Sequence, residues 1–142
     1  GLKWPNDLLV GRAKLAGILL EREGDAVIVG IGVNLTRAPD VEGRDTIALS
    51  AFGPAPDRDS FAQALSTSFD RELDRWRPVG IEPLLRRWQA ASHPPGSPLS
   101  IHEPGGNVVS GTFAGLAEDG SLLLRLEDGA TRPIHAGDVM LG

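Results

Sequence analysis

The chain has 142 residues, with 14 Lys and Arg against 19 Asp and Glu, a formal charge of -5 and no Cys. That length suggests one domain, or one domain with a small module. The acidic balance argues against a nucleic-acid backbone or an anionic membrane as the main partner, and the missing Cys excludes disulfides, thiol nucleophiles and Cys-ligated zinc.

No basic stretch followed by an apolar run opens the chain, so no signal peptide is expected. The longest apolar run, residues 26–35, is too short and too Gly-rich to span a bilayer. There is no Met at position 1 and strand-like sequence begins at once, which predicts a piece of a longer protein.

Leu2 to Val10 reads as an extended segment interrupted by Pro5, which lacks an amide donor. Gly11-Arg12 is a turn. Leu15 to Arg22 and Ala26 to Val33 are apolar runs separated by Glu23-Gly24-Asp25, the pattern of a β-hairpin in a sheet buried on both faces. Thr36 to Arg58 is rich in Pro and Gly and reads mostly as loop. Phe61, Leu65, Phe69, Leu73 and Trp76 then recur at helical spacing, with Asp59 or Ser60 as N-cap and Pro78 and Gly80 as the stop. A second helix fits Ile81, Leu84, Leu85 and Trp88, with Pro83 in its first turn. His93 to Pro98 carries three prolines and a glycine and reads as a stiff linker. Beyond it five short strands are expected, with turns at Asp119-Gly120 and Asp128-Gly129, and these suggest a small SH3-like barrel.

Three segments before Thr36 could carry chemistry. In Lys3-Trp4-Pro5-Asn6-Asp7, Asn and Asp either satisfy a Trp-anchored turn or present oxygen atoms to a magnesium ion or a substrate group. In Lys14-Leu15-Ala16-Gly17-Ile18-Leu19-Leu20-Glu21, Lys14 is either solvated or offers a fixed positive charge to a phosphate or carboxylate. Gly17 inside a strand marks a close approach of backbone or ligand. Gly30-Ile31-Gly32-Val33-Asn34 is not a dinucleotide fingerprint, since it lacks a third Gly and an immediate helix. It is either strand-to-loop punctuation or a place where a flat ligand meets the backbone. His93, His102 and His135 have no metal-ligand spacing.

In this order and spacing, the three segments resemble the biotin protein ligase family. The likeness continues through Arg87-Trp88, Gly120 to Leu124 and Gly137-Asp138-Val139, so it covers nearly the whole chain. The resemblance implies an α+β fold: an incomplete class II synthetase-like catalytic domain with a mixed sheet over residues 1–95, and an SH3-like β domain over 96–142. It implies ATP-dependent activation of biotin to biotinyl-5'-AMP, then transfer to a lysine of a biotin carboxyl-carrier domain, with Mg2+ as cofactor and the cytoplasm as location. Lys14 would contact the biotin carboxylate and the activating phosphate. Asp7 would hold magnesium or orient Lys14, with Asn6 in support. Gly17, Gly30 and Gly32 would line the substrate site, and Asn34 would lie near the nucleotide. The family's Gly/Arg-rich biotin loop lies upstream of K-W-P-N-D, so the chain is expected to carry about half of the active site and little activity alone. Two other readings stay open: a lipoate ligase-like enzyme, and a non-catalytic fragment or binding module.

Overall fold

The computed structural model describes residues 1–142, and its contacts divide them into two compact units. The first comprises Gly1 and residues 6–78, the second residues 2–5 and 79–142. The division falls at Pro78/Val79, ahead of the Pro-rich linker.

The first unit is built on β2 (Asp7–Val10), β3 (Ala13–Glu23) and β4 (Ala26–Val33), which pair in sequence order. Both pairings are antiparallel, which corrects the expected mixed sheet. The β3–β4 hairpin follows from its two Val- and Ile-rich runs and from Gly24, whose φ of 60° suits the tight turn. Between β2 and β3 the register slips by one: Leu8 faces Ala16 but Leu9 faces Lys14, leaving Leu15 as a bulge.

The hairpin is not buried on both faces. Leu19 and Leu20 are 61% and 63% exposed. As successive residues they point to opposite sides of the sheet, so both sides are open there. The sequence pattern predicts apolar residues on two faces; Leu15 and Ala16 at the start of β3 are buried, but the distal part of the hairpin is left open. The 36–57 segment is largely loop, with one 3-10 turn at Leu49–Ala51. Helix α1 (Arg58–Val79) contains no buried residue. An apolar groove of about 250 Å³ lies between Val29 and Ile31 of β4 and Ala62, Leu65 and Phe69 of α1. The N-cap is Asp57, not Asp59 or Ser60: its carboxylate accepts from Ser60 N (3.0 Å) and Ser60 Oγ (3.1 Å). Those hydrogen bonds hold the Asp57 carboxyl below its ordinary pKa.

The second unit holds β1 (Leu2–Lys3), α2 (Glu82–Ala91), and strands β5 (Pro98–His102), β6 (Val108–Leu116), β7 (Leu122–Arg125), β8 (Thr131–Ile134) and β9 (Asp138–Leu141). The five strands after the linker form one antiparallel sheet in the order β8-β7-β6-β5-β9. Alternation puts Leu99 and Ile101 of β5, and Leu122 and Leu124 of β7, on one buried face with Phe113, Ile134 and Val139. Asp119 and Gly120 make the expected turn. The Asp119 carboxylate accepts from the backbone and hydroxyl of Ser121, and Gly120 takes a φ of 83°.

The first three residues of K-W-P-N-D belong to this unit. Trp4 joins its core and donates from Nε1 to Gly120 O at 3.1 Å. Lys3 is buried, and its Nζ donates to Val139 O at 2.9 Å with Asp138 at 3.8 Å. Leu2 forms a parallel bridge with Ser92, just past α2.

Candidate active site

The site is assembled on three adjacent strands of the first unit. Asp7 of β2 faces Gly17 of β3, which in turn faces Gly32 of β4. The row therefore runs carboxylate, bare backbone, bare backbone. Lys14 lies three residues before Gly17, and in a regular strand such residues point to opposite faces. The Leu15 bulge inserts one residue and restores them to the same side. A Cβ placed on Gly17 would lie 3.0 Å from both Cε and Nζ of Lys14. The lysine chain thus folds over the glycine, and its Nζ reaches Asp7 Oδ1 at 2.5 Å. Asp7 is 6% exposed and the Lys14 side chain 34%, so the carboxylate is sealed beneath while the ammonium keeps one side open.

Two shallow clefts meet at this pair. One, of about 470 Å³, is lined by Asn6, Lys14, Gly17, Ile18, Gly30 and Gly32, among others. The other, of about 490 Å³, shares Lys14, Gly17 and Gly32 and adds Asn34, Arg44 and Thr46. The floor common to both is peptide backbone. A Cβ on Gly30 or Gly32 would meet only ordinary contacts, at 3.6 and 3.9 Å from the nearest backbone oxygens. Glycine at these two places is therefore not forced by packing. It leaves room above the sheet, as a flat ligand requires.

Asn6 is fixed by its side-chain amide, which donates to Ile18 O at 2.5 Å, while its own carbonyl accepts from Ile18 N. The Asn34 side-chain amide donates to Lys14 O (3.3 Å) and Ile47 O (3.0 Å). Lys14 is also clamped along its backbone by the loop: its N donates to Asp45 O and its O accepts from Ile47 N. All the residues singled out in the sequence thus come to one place, with Asp7 below the clefts and the others lining them. Sequence reasoning missed Arg44, Thr46 and the loop that carries them. Their only signal was the short apolar break after Asp45, too brief to predict a strand-like bridge between Thr46 and Lys14.

These residues do not fit a resident magnesium centre. The Asp7 carboxylate is occupied by Lys14, and among the described residues no group of three or more His, Cys, Asp or Glu side chains converges. What the arrangement can do is hold a positive charge over a flat, open floor. Such a charge can bind a carboxylate or a phosphate and stabilise negative charge that builds up between them. No helix of the chain is long and apolar enough to cross a membrane.

Comparison with known proteins bears on the family and the fold. Residues 1–35 match the family model for the biotin/lipoate A/B protein ligase family, and residues 98–142 match that for the biotin protein ligase C-terminal domain. A biotin–[acetyl-CoA-carboxylase] ligase of Mycobacterium tuberculosis is 37% identical over 141 residues, which are 99% of this chain and 52% of that protein. One from Paracoccus denitrificans is 38% identical over 152 residues, 99% of this chain and 62% of that protein. The chain thus spans about half to three-fifths of the length of these curated relatives. Among solved structures, the biotin protein ligase of Aquifex aeolicus superposes with a TM-score of 0.83 at 25% identity, over 99% of this chain and 64% of that one. The same enzyme solved in complex with biotin and ATP gives 0.81, over 99% and 61%. Two family models at the two ends, relatives along the whole length and a matching fold agree: the chain belongs to the biotin protein ligase family.

Proposed function

We propose that this chain supplies the Lys14 half of the active site of an ATP-dependent biotin protein ligase, together with that enzyme's C-terminal domain. The observation that carries the reading is the Lys14–Asp7 pair set over a glycine floor. Residues 1–95 are read as part of the catalytic domain and residues 96–142 as its SH3-like C-terminal domain, in a cytoplasmic enzyme. The C-terminal domain match favours biotin over lipoate.

In the first step an oxygen of the biotin carboxylate attacks the α-phosphorus of ATP, and pyrophosphate leaves. The Lys14 ammonium bridges carboxylate and phosphate. It lowers their mutual repulsion on approach and stabilises the charge on the phosphoryl oxygens in the transition state. Asp7 orients Lys14 from beneath, which leaves one side of the ammonium for substrate. The backbone at Gly17, Gly30 and Gly32 gives the substrate a flat bed, Asn6 fixes one wall, and Asn34 stands at the base of the second cleft. In the second step the amine of a carrier-domain lysine attacks the carbonyl of the mixed anhydride. An amide forms and AMP leaves.

Biotin-dependent pyrophosphate exchange tests this reading in the complete protein. Lys14→Ala removes a charge-assisted contact of about 1.5–3 kcal/mol, so exchange is expected to fall roughly 10- to 150-fold. Exchange at the unsubstituted rate would remove Lys14 from the reaction.

A further inference from the structure

We propose that Arg44 binds the phosphate tail of the nucleotide: its guanidinium receives the β- and γ-phosphates of ATP, and so the departing pyrophosphate, beside the α-phosphate met by Lys14. The identity of the anion rests on the ligase reading; the placement of Arg44 does not.

The two clefts that meet at Lys14 differ in charge. In the cleft of about 470 Å³, Lys14 is the one charged side chain, and the walls are otherwise glycine backbone, Asn6 and the apolar Ile18, Leu19 and Ile31. Asp7 lies 2.5 Å beneath the Lys14 ammonium, so the pair carries no net charge. Such a cleft suits a single carboxylate on an apolar tail. A nucleoside triphosphate carries several negative charges, and a neutral pair cannot balance them. The chain as a whole is acidic, with a formal charge of -5, so a polyanion is held only where a local cation outweighs that background. In the cleft of about 490 Å³ the charged side chains are Lys14 and Arg44, and no Asp or Glu lines it. Arg44 is therefore the positive charge in this cleft that Asp7 does not offset.

The backbone brings Arg44 there. Val41 to Arg44 make a tight turn, in which Arg44 N donates to Val41 O at 3.1 Å and Gly43 takes a φ of 74°. The turn is tied at its base, where Thr46 Oγ1 donates to Pro39 O at 2.5 Å. The next residue, Asp45, accepts from Lys14 N through its main-chain oxygen at 2.8 Å. Arg44 thus stands one residue from the clamp on Lys14, and the two cations share one cleft. Arg44 is exposed, and a guanidinium has five N–H donors, more than one protein partner uses. Its planar fork can meet two phosphate oxygens at once, which an ammonium cannot. Glu42 and Asp45 flank it in sequence but line neither cleft.

The reaction divides the nucleotide at the point the test needs: the α-phosphate stays in the adenylate, and the β- and γ-phosphates leave as pyrophosphate. In the complete protein, Arg44→Gln should raise KM for ATP and KM for pyrophosphate in biotin-dependent exchange roughly 5- to 30-fold. Arg44→Lys should recover part of that loss, and KM for biotin should not change. Transfer to the carrier lysine from preformed biotinyl-5'-AMP should keep its rate in Arg44→Gln, because no pyrophosphate group is present. An unchanged KM for pyrophosphate would overturn the proposal. So would an equal loss in transfer from the adenylate, which would place Arg44 against the base or the α-phosphate, or in the loop's own fold. A second measurement stands apart from the ligase reading. Metal-free pyrophosphate titrated into the 142-residue chain is expected to move the backbone amide signals of Gly32, Asn34 and Gly43, and to leave them in place in Arg44→Gln. Shifts that persist in the variant, or none in the unsubstituted chain, would overturn the proposal. If the unsubstituted complete protein showed no biotin-dependent exchange, the ligase reading would fail, and this titration would still decide whether Arg44 holds a polyphosphate.

Discussion

Gly17→Ala separates the function of the site from the stability of the sheet. The new methyl would sit 3.0 Å from Lys14 Cε and Nζ and 3.5 Å from Asp7 Oδ1. Backbone cannot yield easily to such a contact, but the far end of a lysine can, so the lysine swings away and the strands stay where they are. The swing breaks the 2.5 Å contact with Asp7. A charge-assisted hydrogen bond contributes about 1.5–3 kcal/mol. The Lys14 side chain is a third exposed, so water recovers part of this, and about 1–2 kcal/mol is a fair expectation. That corresponds to roughly a 5- to 30-fold loss in the exchange rate. Folding moves the other way, because Ala in a strand is favoured over Gly by about 0.5–1 kcal/mol. The substitution should therefore cut biotin-dependent exchange in the complete protein while thermal unfolding shifts by no more than a few degrees. Two results would refute the reasoning: exchange at the unsubstituted rate, or a loss explained entirely by a smaller folded population.

Two further predictions concern the second unit. Trp4→Phe keeps an aromatic ring in the core but deletes the indole donor to Gly120 O. About 1 kcal/mol of stability should go with it, read as a fall in Tm of about 4–8 °C for a unit of this size; an unchanged Tm would show that the hydrogen bond contributes nothing. His93 has a buried Nε2 with no hydrogen-bond partner. Burial, and secondarily the charge of Lys3, hold its pKa below the ordinary 6.5. The unfolded chain therefore takes up this proton first as pH falls. Stability is complete above about pH 6.5 and declines as the pH drops below it. His93→Gln should flatten that part of a Tm-against-pH curve, and an identical slope in the variant would remove His93 as the cause.

How far the sequence could be read depends on what each feature rests upon. The β3–β4 hairpin was legible because its turn chemistry at Gly24 and its apolar runs are local. The stripe Phe61 to Trp76 likewise located α1, although the cap lay at Asp57 because the loop delivers the carboxylate one turn earlier than the polar residues nearest the stripe suggested. Burial was not legible. Apolar residues on both faces of β3 say what the strands prefer, and whether anything covers them is decided by residues elsewhere. The candidate site lies between these cases. Its residue types were visible as motifs, but Lys14 and Gly17 have the wrong parity for a regular strand. Only the extra residue at Leu15 puts them on one side, and a bulge of that kind carries no composition signal.

The split of K-W-P-N-D has a practical consequence for anyone dissecting this chain. The Pro-rich linker looks like the place to cut, yet a fragment starting at residue 96 would lose α2 and the buried pair Lys3 and Trp4. The sheet it left behind would have an open hole in its core where the indole had been, and a bare carbonyl at Gly120. The remaining piece would keep Lys3 and Trp4 stranded, with an apolar indole and a desolvated amine newly in water. Independent expression of the second unit therefore calls for a circular permutation or a fused N-terminal strand, with residues 2–5 carried alongside 79–142.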